Sequence, residues 1–294
     1  MNIKLLEKFW NWLRTDYPRD SYTEIKLMNI EDDRLYKQVQ CFQEEHDIVI
    51  RKNCQFFIKE FKDLWQILNY KAGIFDKYSK ICYSISPKFF DEKGDISGKY
   101  DHMKIADMIF LDIEKIEHSS LTEEDEPFIK QFINNVMDRL RQYGLTKPVV
   151  VHSGGGYHLL YKVKRMKFDK GRKLGYKQFI SELEFLNSKL YKIDHCVDLS
   201  RCIGLPETFN NKRGKKVTII GPIPKEPIDD YYIKSKRMDL IKKLEKQLKG
   251  RKIDTGSNEY FAGYVDGWND REAKVKHSES DWEELMSEED RKLR

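Results

Sequence analysis

"PVVVHSGGGYHLLYKV", residues 148–163, sets three glycines between two strongly apolar runs. The flanking runs are rich in β-branched and aromatic side chains, which favour strands, and a glycine cluster breaks any regular element. The segment therefore reads as a strand, a glycine turn and a second strand. Gly154, Gly155 and Gly156 lack Cβ, so the backbone can take positive φ and let a ligand come close. Successive N–H groups in such a turn can form a concavity for an anion. Ser153 adds a hydroxyl at one lip. On the second strand His158 and Lys162 share a face, because side chains alternate with period two. Hydroxyl, amides, imidazole and ammonium could together surround a triphosphate. A plain hairpin with a surface histidine fits the same residues equally well.

Upstream, "ADMIFLDIE" (106–114) is a second strand candidate and "KICYSIS" (80–86) a third, ended by Pro87. "DEPFIKQFINNVMDRLRQYG" reads as a helix with Pro127 in its first turn and Gly144 as its stop. Downstream, "GYKQFISELEFLNSKLY" reads as a helix and "KID" as a short strand. Another strand is expected at 216–220, and a helix at 237–250 closed by Gly250. Near the start, Leu5, Phe9, Trp10 and Leu13 have helical spacing, and Phe57, Phe61, Leu64, Trp65 and Leu68 trace a second amphipathic helix. Strands and helices alternate with hairpins among them, an α+β or mixed α/β plan. The organisation expected is a helical element over 1–75, a core over 76–253 with a closing helix, and an acidic, flexible tail over 254–294.

On the strand at 106–114, Asp112 and Glu114 project from one face. Two carboxylates at the end of an apolar strand can share hard cations such as Mg2+ or Mn2+. Two such ions activate an attacking hydroxyl and stabilise a leaving oxygen in phosphoryl transfer. A strand end emerging into solvent also carries acids, so this pair alone decides nothing. In "KIDHCVDLSRCIGLPETFNNK", Asp194 and Asp198 each follow an aliphatic residue, and either could complete a carboxylate cluster. Arg201, Lys212 and Arg213 are donors of the kind that hold phosphate. Asn210 and Asn211 can hydrogen-bond a sugar or a base edge.

The 294 residues include 39% hydrophobic and 35% charged side chains, enough apolar matter for a sizeable core. No run of about 18 apolar residues occurs, so no spanning helix is expected. The first 20 residues interrupt their apolar positions with charge too often for a secretory signal, which makes the cytoplasm the expected compartment. Five scattered cysteines with no C-x-x-C pair argue against both a disulfide framework and a structural zinc site. Net charge is +5, but residues 254–294 hold 12 acidic against six basic side chains, leaving +11 on the other 253 residues. A basic body suggests a polyanionic partner.

The order of these pieces over roughly residues 80–222 resembles the archaeo-eukaryotic primase superfamily, in particular the primase-polymerases of archaeal plasmids, viruses and phages. Ile109 to Glu114 are similar to its h-h-D-x-D/E motif. Ser153-Gly-Gly-Gly-Tyr-His158 is similar to its serine–glycine–histidine motif. The stretch from Asp198 through Arg201, Gly204, Leu205, Pro206, Glu207, Thr208 and Asn210 to Lys212 resembles its third region. Two positions depart: Gly204 stands where an arginine is frequent, and Glu207 where a glycine is frequent. A phosphate contact at 204 is thus lost, or made up by Lys212 and Arg213.

The resemblance implies an α+β catalytic core with an RRM-like mixed sheet flanked by helices. It implies a DNA primase or DNA-directed polymerase using two Mg2+ or Mn2+ ions in plasmid or virus replication. Asp112, Glu114 and Asp194 would hold the metals, with Asp198 competing as the third ligand. Ser153, Gly154, Gly155, Gly156, His158, Lys162, Arg201, Asn210 and Lys212 would bind the nucleotide. Its partners would be single-stranded DNA, nucleoside triphosphates and a separate helicase or replication protein. A metal-dependent nuclease and a DNA-binding initiator with a decayed site are the rival readings.

Overall fold

A computed structural model of the chain describes residues 1–225, apart from 31–33, 47, 52–53, 120, 168–169 and 195–197. The helix expected at 237–250 and the acidic tail lie outside the described residues, as do His195 and Cys196.

The glycine hairpin forms as expected: β6 (Val149–His152) turns into β7 (Tyr157–Lys167), with Val151 opposite His158. β5 (Ile105–Lys115) pairs with the other side of β7, and β8 (Tyr191–Asp194) pairs with β5. β12 (Thr218–Ile220) closes the opposite edge, so the order is β12-β6-β7-β5-β8. The continuous apolar character of β5 and β7 has a simple cause, which is that both faces of this sheet are covered. Ile109, Leu111, Ile113, Leu159 and Tyr161 pack under α5 (Glu126–Arg141) and α6 (Lys170–Leu183). Met108, Phe110 and Leu160 face the other way, into a second core.

That second core is shared with another five-stranded sheet. It comprises β1 (Thr23–Met28), β2 (Val49–Arg51), β3 (Gln55–Ile58), β4 (Lys80–Ser84) and β9 (Cys202–Gly204), in the order β2-β3-β1-β4-β9. Its Ile25, Leu27, Phe56, Ile81 and Tyr83 join Leu6, Phe9, Trp10 and Leu13 of α1 (Ile3–Leu13) in the same cluster as Met108 and Phe110. Each fully buried aliphatic or aromatic side chain of this kind contributes roughly 1.5–3 kcal/mol. The α+β class holds, and both sheets are antiparallel throughout rather than mixed. Among the described residues no helix is long and apolar enough to cross a membrane. Cys41, Cys54, Cys82 and Cys202 are free thiols.

Residues 1–75 contain helices, namely α1, α2 (Arg34–Glu45), α3 (Phe61–Asn69) and the short α4 (Ile74–Tyr78), but also the three strands β1–β3. Phe57, placed by spacing at the head of a helix, lies in β3, and the helix starts at Phe61. The β2–β3 hairpin turns through Cys54 at φ 57. Its apolar residues are buried by pairing with β1, a contact that local periodicity does not reveal.

Lys162 belongs to the core rather than to an open phosphate site. Its ammonium donates to Asp107 Oδ2 at 2.5 Å and to Leu13 O at 2.5 Å, and it lies 4.2 Å from the centre of the Tyr17 ring. Both partners of the ion pair are 2% exposed. The pair fastens the end of α1 to the β5–β7 sheet.

Candidate active site

Asp112 occupies the centre of the site because of sheet register. It stands opposite His158 on β7 and opposite Asp194 on β8, so three polar side chains line up across neighbouring strands on one face. Glu114, two residues on, is opposite Lys192. His158 Nε2 lies 3.7 Å from Asp112 Oδ1. From the position just before β9 of the other sheet, Arg201 Nη1 reaches within 3.8 Å of Asp112 Oδ2 and 3.7 Å of Asp194 Oδ2. Glu114 Oε1 is turned to His118 Nδ1 at 3.0 Å and Lys192 Nζ at 3.3 Å.

Burial pushes the Asp112 carboxyl up to about 7; Glu114 and Asp194 add to that, while Arg201 and Lys80 oppose it. Burial likewise takes His158 down to about 3, helped by the positive charges of Lys80 and Arg201. The imidazole is therefore neutral near pH 7. Its Nδ1 is buried without a hydrogen-bond partner among the described residues.

The glycines of the turn have separate reasons. Gly154 sits at φ 89, in the left-handed region. A Cβ on Gly156 would stand 2.3 Å from the backbone oxygen of Ile113, so close packing on β5 excludes any side chain. The Ser153 hydroxyl donates to Gly156 O at 3.1 Å and accepts from Gly156 N at 3.2 Å, closing the turn. Asn210 Nδ2 donates to Ser153 O at 2.7 Å, which joins the hairpin to a small ribbon of β10 (Phe209–Asn210) and β11 (Lys215–Lys216). Arg213 lies beside Gly155, its Nε 2.9 Å from where a Cβ would be.

A Gly156→Ala protein should lose roughly 10²-fold in whatever activity the site supports, because the Ile113 carbonyl must move and with it the Asp112–His158 register. Gly154→Ala should cost only about 1–2 kcal/mol of stability. Steady-state rates and thermal melts of the two proteins check this.

Of the expected residues, the fold gathers Asp112, Asp194, His158 and Arg201. It sets Ser153, Gly154, Gly155 and Gly156 in one adjoining turn, to which Asn210 of β10 is hydrogen-bonded. Lys212 is exposed on the turn of the ribbon. Lys162 is in the core. Asp198 is exposed and its carboxylate accepts from Ser200 N at 2.9 Å and Ser200 Oγ at 2.6 Å, so it shapes a turn while Asp194 pairs with Asp112. At the departure at 207, Glu207 adopts φ 70, where glycine costs nothing. Its carboxylate accepts from Asn2 N and from Lys216.

Sequence reasoning missed Lys80, His118 and Lys192. Lys80 begins β4, its Cε 3.3 Å from where a Cβ on Gly204 would lie, and its charge acts on both Asp112 and His158. No local signal marks it, because it reaches the site through the packing of two sheets. Lys192 was findable only by pairing "YKID" with β5.

No protein-family model matches the chain, and no curated protein matches it in sequence. Among solved structures the chain is similar to primase RepB', with a TM-score of 0.49 and 10% identity over 87% of this chain and 68% of that one. It is similar to the primase-polymerase domain of cyanophage S-2L, with a TM-score of 0.44 and 11% identity over 78% and 95%. It is also similar to the polymerase domain of Mycobacterium tuberculosis Ligase D, with a TM-score of 0.40 and 10% identity over 79% and 88%. The likeness in each case is one of fold.

Proposed function

We propose that the chain is a primase-polymerase, a nucleotidyltransferase that joins nucleotides on a single-stranded DNA template. The observation that carries this reading is the row His158–Asp112–Asp194 across three strands, with Arg201 reaching both carboxylates.

The donor set fits Mg2+ or Mn2+. Asp112 and Asp194 offer hard oxygens, and one cationic nitrogen already lies within 3.8 Å of both. Among the described residues no three His, Cys, Asp or Glu side chains are drawn together as a ready ligand set. Glu114 would have to leave His118 and Lys192 to join the other two. When bound, the metals would activate the attacking hydroxyl and neutralise charge on the leaving pyrophosphate.

The chain's own residues supply the rest. Arg201 and Lys80 border the carboxylates with positive charge suited to a triphosphate. Neutral His158 offers one N–H to a phosphate oxygen without adding charge. The backbone of the turn at 153–156 gives a close approach without side chains, and Asn210 fixes its position. Catalysis in this reading is positioning and charge neutralisation.

A labelled nucleoside triphosphate titrated into the protein with Mg2+ tests the reading. Saturable binding, weakened about tenfold or more by Arg201→Ala, is expected. A protein that binds no nucleotide and shortens DNA instead would be a nuclease.

A further inference from the structure

The ribbon after the site holds an exposed aromatic in an otherwise fastened segment. Phe209 is 42% exposed, one residue from Asn210, which is 4% exposed and bonded to the glycine turn. Alternation along β10 turns Phe209 away from that turn. The segment around it is fastened at several points. Phe209 N donates to Asp76 Oδ1 at 2.8 Å, and Thr208 Oγ1 donates to Leu205 O at 2.7 Å. Further along, Arg213 Nη2 donates to His118 O at 3.1 Å and Lys215 Nζ to Leu121 O at 3.0 Å. Among the described residues no aromatic ring or cation stacks on Phe209, whereas exposed Phe185 has Arg139 over its face.

Lone exposed phenylalanines are ordinary. This one stands on a ribbon that also carries Lys212, Arg213, Lys215 and Lys216, four cations within eight residues, of which Lys216 is paired with Glu207. Rigid backbone, an open ring and a cluster of positive charge are the ingredients of a stacking platform for single-stranded nucleic acid. A backbone already held in place loses little freedom on binding, which favours the use of its side chain as an anchor.

We propose that Phe209 stacks on an unpaired base of single-stranded DNA while the basic residues of the 209–216 ribbon follow its phosphates. This rests on the polymerase reading and adds to it the place where the strand is gripped beside the site. The ring recognises a base face, so the grip is independent of sequence.

The test compares native protein with Phe209→Ala and Phe209→Trp, all as full chains. Each is titrated into fluorescein-labelled oligothymidylate and into an abasic oligonucleotide of equal length. F209A should bind the thymidylate about tenfold more weakly than native, F209W should bind it as native does, and the abasic strand should show no difference among the three. Equal affinities of native and F209A for thymidylate, or an equal loss on the abasic strand, would overturn the proposal. Binding of a labelled nucleoside triphosphate is read on the same preparations. If the native chain binds nucleotide and DNA but F209A changes nothing, the platform fails and the polymerase reading stands. If the native chain binds neither, both fail.

Discussion

Asp112→Ala is expected to slow template-dependent nucleotide incorporation at least about 10³-fold while the protein melts no lower than the native chain. The two halves of that result have different origins. Asp112 faces His158, Asp194 and Arg201 at once, so no other carboxylate can take its place in the row. In the metal-free protein the same carboxylate is a cost. Burial raises its pKa to about 7, with Glu114 and Asp194 pressing the same way. Removing a group held for function and not for stability leaves the fold intact or firmer. Incorporation assays and thermal melts of the EDTA-treated proteins give both readouts. Full activity in the alanine protein would remove Asp112 from the chemistry, and a collapsed melt would make it a structural residue.

Lys162→Ala should destabilise the chain by about 3–5 kcal/mol, the usual penalty for leaving one half of a buried ion pair alone. Its ammonium bonds Asp107 and the end of α1 in a place closed to water. Without it, Asp107 must take up a proton, a tendency already present because burial raises its pKa. The double change Asp107→Leu with Lys162→Met removes both charges and should come within about 2 kcal/mol of native. Urea denaturation of the three proteins measures the difference. An alanine protein as stable as native, with nucleotide binding lost, would return Lys162 to the phosphate site.

Lys162 also shows where reading the sequence stops. Period two correctly gives it the face of His158. Four residues along a strand are roughly 13 Å, though, and alternation does not say how much of that distance is still open. The hairpin and β5 were legible because apolar runs end at glycine and at charge. The shared face of Asp112 and Glu114 followed from the same periodicity. The resemblance favours Asp194 over Asp198, but the residues alone do not, since both follow an aliphatic residue; the register of β8 on β5 sets Asp194 opposite Asp112. Arg201 could be suspected from the motif, but its reach to two carboxylates is made by one sheet packing on another. Lys80 left no trace for the same reason. Within 1–75, β3 was hidden because Phe57 fits a helical spacing as well as a strand.

The central claim is nucleotidyl transfer on a single-stranded template at Asp112. It is tested most directly by incubating the protein with single-stranded DNA, Mg2+ or Mn2+ and labelled nucleoside triphosphates, first without and then with an annealed primer. Alongside runs a protein carrying Asp112→Ala and Glu114→Ala. Labelled oligonucleotides or extended primers from the native chain alone are the predicted result. Template shortening with no incorporation, or tight DNA binding with no product in any tube, would contradict it.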